Sequence, residues 1–392
     1  MKSLVAAFCL SLIAASVAAE TLNLKVGVLR ETHSRETLSI LDIPAADDTL
    51  AGVLLGVADN NTTGKFTNQS FEAIDARLDE GDDVVAALDR LIDKGALLVI
   101  ADLSPERLLA ASERAGPKGA LLFNVSATDD RLREEDCRAN VIHVSPTRSM
   151  LADGLAQYLV WKQWRRWLLF KGSHPKDELL AQALRNSAKK FGAKIVEERV
   201  YEDTGGGRRS DSGSVQTQRQ IPALTQNAPA YDALIAADES EVFANYLPYR
   251  SWDPRPVAGS AGLMPTNWDP AHEQWGALQL QNRFIQTFRR LMNARDNAAW
   301  LAMRMIGEAA TRTASSDPEK LRLYMIGKEF SIAAFKGVRL TLRPWNLQLR
   351  QPILLSDGRM VVSVSPQEGF LHQVSELDTL GLDQPETKCR LK

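Results

Sequence analysis

Short runs of β-branched residues and leucine alternate with amphipathic stretches through most of the chain, and the alternation is gone through twice. Residues 22–29 place Leu22, Leu24, Val26 and Val28 on one parity, which predicts a strand. Residues 49–60 carry Leu50, Val53, Leu54 and Val57 at helical spacing, with Asn60-Asn61 as the expected end and turn. Residues 71–78 read as a strand, and Asp82 and Asp83 can cap a helix running to Lys94. Residues 96–101, ALLVIA, form a continuous apolar run of the kind found in strands buried on both faces. A helix from Pro105 and strands at 120–124 and 141–144 complete the first round.

The second round starts after Ser145-Pro146. It has a helix at 150–164, a strand at 167–170, a helix at 177–191 and a strand at 194–201. The stretch 204–213, with Gly205-Gly206-Gly207, reads as a surface loop, since it lacks the Lys-Ser/Thr ending of a phosphate-binding loop. A helix at 215–225 and a strand at 233–237 follow. Strands alternating with helices of these lengths predict βαβ units and mainly parallel sheets, here two of them. The last third differs, with long helices at 275–292 and 297–313, then strands at 337–342, 347–355 and 360–365. Asp357-Gly358 is a hairpin turn between the last two, and the polar tail from Pro366 is expected to lie along a surface.

Lys2, the uncharged run 4–15 and the small residues ending at Ala19 have the three-part pattern of a secretory signal peptide, residues 1–19. The run is too short to span a bilayer, which needs about 20 apolar residues. Cleavage leaves 373 of 392 residues, a length suited to two domains, in an exported, periplasmic protein. The balance of 47 basic and 49 acidic residues gives no basic excess of the kind nucleic-acid binding requires. The mature cysteines, Cys137 and Cys389, can pair in an oxidising compartment or remain two free thiols.

Catalytic signatures are scarce. The five histidines are scattered, and C-x-x-C, H-E-x-x-H and G-x-S-x-G patterns are absent, so no catalytic role and no cofactor are expected. The acidic groups Asp47-Asp48, Asp82-Asp83, Asp129-Asp130 and Glu134-Glu135-Asp136 read first as caps and solvated faces. They would hold a hard cation only if several converged. In open parallel sheets ligands bind beyond the carboxyl ends of the strands, beside helix N-termini. The residues meeting that rule are Glu31, Ser104, Ser126, Thr128, Asp238 and Glu239, and together they sketch a small polar pocket.

Residues 96–128, with LLVIADLSPERLLAASERAG and LLFNVSATDD, resemble the first lobe of the leucine/isoleucine/valine-binding family of periplasmic solute-binding proteins. The strings ADNNTTGKF (58–66), GLMPTNWDPAHEQWGALQLQNRF (262–284), WNLQLRQPILL (345–355) and SPQEGFLHQ (365–373) resemble one subfamily. These are the binding proteins of ABC transporter systems associated with pyrroloquinoline-quinone (PQQ)-dependent alcohol dehydrogenases. The resemblance implies a type I α/β fold of two lobes around a ligand cleft, 20–145 plus 274–332 and 146–273 plus 333–392. It also implies capture of a small ligand by hinge closure and its delivery to an inner-membrane ABC permease and ATPase, and since no surface signal in the sequence argues for more, a monomer is expected. Ser104, Ser126 and Thr128 fall where amino-acid binders touch their ligand, and Asp238 or Glu239 falls where the ammonium is met. Two departures weigh against an amino acid: Lys176 stands where such binders often have tyrosine, and an extended loop, 33–48, follows the first strand. By association the ligand would be PQQ, calcium or a lanthanide, or an alcohol-derived acid, with Trp252, Trp268 and Trp275 available to stack on a planar quinone. The competing readings are a non-transport sensor or accessory factor for the dehydrogenase, and a hydrolase with a dispersed site.

Overall fold

The computed structural model describes residues 21–32, 43–205 and 211–391. The expected signal peptide, most of the loop after the first strand and the centre of the 204–213 loop lie outside the described residues. The first sheet has strands β1 (Leu22–Glu31), β2 (Gln69–Leu78), β3 (Leu98–Asp102), β4 (Leu121–Asn124) and β5 (Val141–His143). All its pairs are parallel, in the order β2-β1-β3-β4-β5. Helices α1 (Leu50–Thr67), α2 (Val84–Asp93) and α3 (Pro105–Ala115) connect its first four strands. The second round supplies α4 (Arg148–Trp161), β6 (Arg166–Gly172), α5 (Pro175–Phe191), β7 (Lys194–Tyr201), α6 (Asp211–Thr225), β8 (Ala233–Ala237), α7 (Leu247–Arg250) and β9 (Val257–Gly259). Its sheet is also parallel, ordered β7-β6-β8-β9.

The continuous apolar runs do what a doubly covered strand requires. In β3, Leu98 and Ile100 enter one core while Val99 and Ala101 enter another on the opposite face. In β8, Ala233, Ile235 and Ala237 face one core, and Leu234 and Ala236 face the other. Each sheet is thus buried on both sides, and its strand order reverses beside its first strand, at β1/β3 and at β6/β8.

The remaining elements are β10 (Met264–Thr266), α8 (Ala277–Phe288), α9 (Ala294–Thr313), α10 (Pro318–Met325), β11 (Ile332–Ala333), β12 (Arg339–Leu342), β13 (Leu349–Arg350), β14 (Ile353–Ser356) and β15 (Val361–Ser365). Two small antiparallel sheets result, β10-β14-β15 and β11-β12-β13, with Asp357-Gly358 at the β14–β15 turn. The expected strand 347–355 is broken in two at Gln351-Pro352. The first core includes Trp268, Leu340, Leu342, Leu347 and Leu349, whereas Leu263 and Ile353 pack on the second sheet's core. Residues 340–349 therefore pack with the first sheet, not with the second as the resemblance implied. The chain passes between the two cores at 145–148, 264–268 and 349–353.

Helix α1 runs past Asn60-Asn61, correcting the expected end. Asn60 is buried inside the helix, where its Nδ2 donates to the Met303 carbonyl at 2.7 Å and its Oδ1 accepts from Arg304 at 2.6 Å. A polar residue that looked like a turn is a cross-helix contact. Gly52 permits this approach, since a Cβ there would lie 2.0 Å from the Asp296 carbonyl oxygen. The tail is also more than a surface strap: Asp378 is buried and accepts from Arg343 and Arg350 at 2.8 Å each. Cys137 and Cys389 form a disulfide, Cα–Cα 5.7 Å, and Glu134 beside it accepts from the Thr387 hydroxyl and the Lys388 amide.

Candidate functional site

A cleft of about 390 Å³ opens where the carboxyl ends of the two sheets meet. It is reached from β1 by Glu31, from β3 by Ser104, from β4 by Ser126 and Thr128, and from β8 by Glu239. Five of the six residues singled out in the sequence therefore converge. The sixth does not. Asp238 is buried, and its carboxylate accepts the backbone N–H groups of Val242, Phe243 and Ala244 at 2.9, 2.7 and 2.7 Å. Burial raises its pKa, and those three donors oppose the rise. Asp238 holds the turn after β8 in shape while its neighbour Glu239 faces the opening.

The strand-end rule also leads to residues not singled out as site candidates. Asp129, Arg148 and Arg295 line the cleft, as do Pro175, Lys176 and Leu179 at the start of α5. In the sequence Lys176 stands out only as a departure from the amino-acid binders. Arg148 was missed because it stands inside the first turn of α4, where an arginine ordinarily reads as a solvated side chain. It sits where the chain first crosses between the sheets. Its Nε and Nη2 donate to the two carboxylate oxygens of Glu239 at 2.6 Å each, and its Nη1 donates to Asp129 Oδ2 at 2.5 Å. Its side chain is only 6% exposed. Burial works against its charge, but the two carboxylates overcome it and raise the guanidinium pKa above the ordinary value.

Glu31 is equally engaged. Its carboxylate accepts the Ser104 backbone N–H at the start of α3, the Ser104 hydroxyl at 3.5 Å and Arg107 Nη1 at 3.0 Å. Ser104 stands at the N-cap of α3 but makes no side-chain cap; its hydroxyl turns to Glu31 instead. The Ser126 hydroxyl donates to the Leu103 carbonyl at 3.3 Å. The Thr128 hydroxyl has no partner among the described residues.

Below the cleft the crossing segments are tied by buried polar groups. Arg133 donates to Gln348 Oε1 at 2.9 Å and to the Ala127 and Ser145 carbonyls at 2.8 Å, and burial holds it down to about 9. Lys336 is 1% exposed and donates to Gln351 Oε1 at 2.7 Å, while Gln351 donates to the Val144 carbonyl at 2.6 Å.

The acidic pairs do not converge. Asp47 meets Arg290, Asp83 caps α2, Asp136 meets Arg131, and Glu134 holds the tail. Among the described residues no group of three or more His, Cys, Asp or Glu is placed to hold a metal ion. The three tryptophans considered for stacking are also elsewhere. Trp268 is in the first core, Trp275 rests beside His272, and Trp252 is exposed; none lines the cleft. None of the four long strings that carry the subfamily resemblance contributes a cleft residue either. Residues 58–66 lie in α1, which packs on α9, 262–284 and 345–355 include two of the crossings, and 365–373 packs beside α4.

Two doubly covered parallel sheets facing each other across a cleft, joined by three crossings, define a type I periplasmic-binding-protein fold. Residues 44–216 match the family described as periplasmic binding protein. No curated protein sequence matches. Among solved structures, the chain is similar to a branched-chain amino acid ABC transporter periplasmic ligand-binding protein from Burkholderia xenovorans, at 16% identity and TM-score 0.73, covering 94% of this chain and 99% of that one. It is similar to a leucine-, isoleucine-, valine-, threonine- and alanine-binding protein from Brucella ovis in a closed conformation, at 14% identity and TM-score 0.67, covering 94% and 99%. It is also similar to an ABC transporter solute-binding protein from R. palustris in complex with benzoate, at 13% identity and TM-score 0.67, covering 94% and 100%. At these identities the likeness is one of fold.

Proposed function

We propose that this protein is the periplasmic ligand-capturing component of an ABC transporter. The observation that carries the reading is the cleft itself. It lies at the strand-order reversal of both sheets, and both sheets contribute to its wall, the place where open parallel sheets take ligands. In this reading the lobes are the residues packed by the two pairs of cores, and the crossings at 145–148, 264–268 and 349–353 are the hinge. The lobes close on the ligand, and the closed form is the one a permease and its ATPase recognise. The link to a PQQ-dependent alcohol dehydrogenase system rests on the four sequence strings. Because those strings lie in the scaffold, they argue for kinship and not for a particular ligand.

The test is a thermal-shift panel on the mature protein with PQQ, calcium, lanthanum, branched-chain amino acids and short carboxylates. A ligand at a hundred times its Kd adds about 2.7 kcal/mol of apparent stability. A clear upward shift with one class supports capture. No shift with any class moves a non-transport accessory role ahead, and co-purification with a dehydrogenase but no permease would then be expected.

A further inference from the structure

Within that reading, we infer that the ligand is a small organic anion without an ammonium group, gripped between Lys176 from one side of the cleft and Arg295 from the other. The argument starts from the charges that line the cleft. Among the described residues each of its four carboxylates already meets an arginine: Glu31 with Arg107 at 3.0 Å, Glu106 with Arg131 at 2.6 Å, Asp129 with Arg148 at 2.5 Å and Glu239 with Arg148 at 2.6 Å. A ligand ammonium would have to compete with a guanidinium held by three charge-assisted hydrogen bonds. The start of α3, whose free N–H groups would suit a ligand carboxylate, is taken by Glu31. The protein thus supplies both poles of an α-amino acid from its own chain, and leaves neither to a ligand.

The cations are not balanced in the same way. Lys176 has no hydrogen bond or ion pair among the described residues. Among the described residues Arg295 has only Asp48 at 4.0 Å, and Asp48 already accepts from Asn293 at 2.8 Å and faces Arg290 at 3.6 Å. Lys176 is the second residue of α5, whose first turn is already capped by Asp177, so the charge it offers the cleft is that of its own ammonium. Leu103, Pro105, Ala127 and Leu179 give the remaining wall an apolar character suited to a hydrocarbon body. Uncompensated positive charge beside an apolar wall selects a monocarboxylate.

The test is titration calorimetry of the mature protein with a matched trio, 4-methylpentanoate, leucine and 4-methyl-1-pentanol, together with benzoate. The expected result is that at least one of the two acids binds, with leucine and the alcohol at least tenfold weaker. Lys176→Ala with Arg295→Ala should weaken acid binding tenfold or more at an unchanged melting temperature. Glu31→Ser, which frees the Ser104 N–H, should narrow the gap between leucine and the acid. Leucine or the alcohol binding as tightly as the acids, failure of both acids, or a double variant that binds as wild type would overturn the inference. If another compound of the thermal-shift panel binds instead, the capture reading stands and only the ligand class falls.

Discussion

Replacing Lys336 with methionine should make this protein more stable. The Lys336 side chain is fully enclosed where the crossing segments meet, and among the described residues its single hydrogen-bond partner is the neutral amide oxygen of Gln351. Burial pushes its ammonium down to about 7 from an ordinary 10.5. The unfolded chain therefore holds that proton over a pH range in which the folded protein has released it. Stability rises with pH from about 7 toward 10.5, and the full penalty is present below 7. A shift of that size is worth about 4–5 kcal/mol. Methionine removes the penalty but leaves the Gln351 oxygen without its donor, a cost of about 1–3 kcal/mol. The expected net gain at pH 6 is about 1–4 kcal/mol. Urea unfolding followed by circular dichroism at pH 6, 7 and 8.5 measures it. Wild type should gain about 2 kcal/mol between pH 7 and 8.5, and Lys336→Met should stay flat. His143 and His272 do not blur this window, because burial pushes both below the ordinary histidine value. Arg133 titrates above it. A wild-type profile that is flat from pH 7 to 8.5, or a methionine variant less stable than wild type at pH 6, would refute the reasoning.

Three further outcomes follow from the packing. Cys137→Ser with Cys389→Ser opens a closure of 252 residues and should lower unfolding stability by about 2–5 kcal/mol, with protease sensitivity appearing first in the tail. Arg148→Ala leaves Glu239 without its partner and Asp129 with only Arg131 at 3.8 Å. Because Glu239 is about a third exposed, the loss should be about 2–3 kcal/mol, and adding Glu239→Gln should restore part of it in a double-mutant cycle. Gly52→Ala drives a methyl group into the Asp296 backbone and should cost about 1–3 kcal/mol by urea unfolding, since neither helix can yield without disturbing the other.

What the sequence alone determined is the periodic part of the molecule. Runs such as ALLVIA and ALIAA are legible because a strand covered on both faces must be apolar at every position. The strand-end rule then located Glu31, Ser104, Ser126, Thr128 and Glu239 without any distance. Where the signal was a single polar residue, the reading depended on partners far along the chain. Asn60 resembled a turn but bonds across to α9, Asp238 resembled a ligand contact but caps its own loop, and the tail's Asp378 is buried between two arginines. The pairing state of the charges was likewise invisible, because Arg148 meets Glu239 from 91 residues away. Only the tertiary structure decided which carboxylates of the cleft are already neutralised and which cations are not. Hydrophobic periodicity is a local property of the chain, whereas the fate of a charge depends on whatever the fold brings within a few ångströms of it.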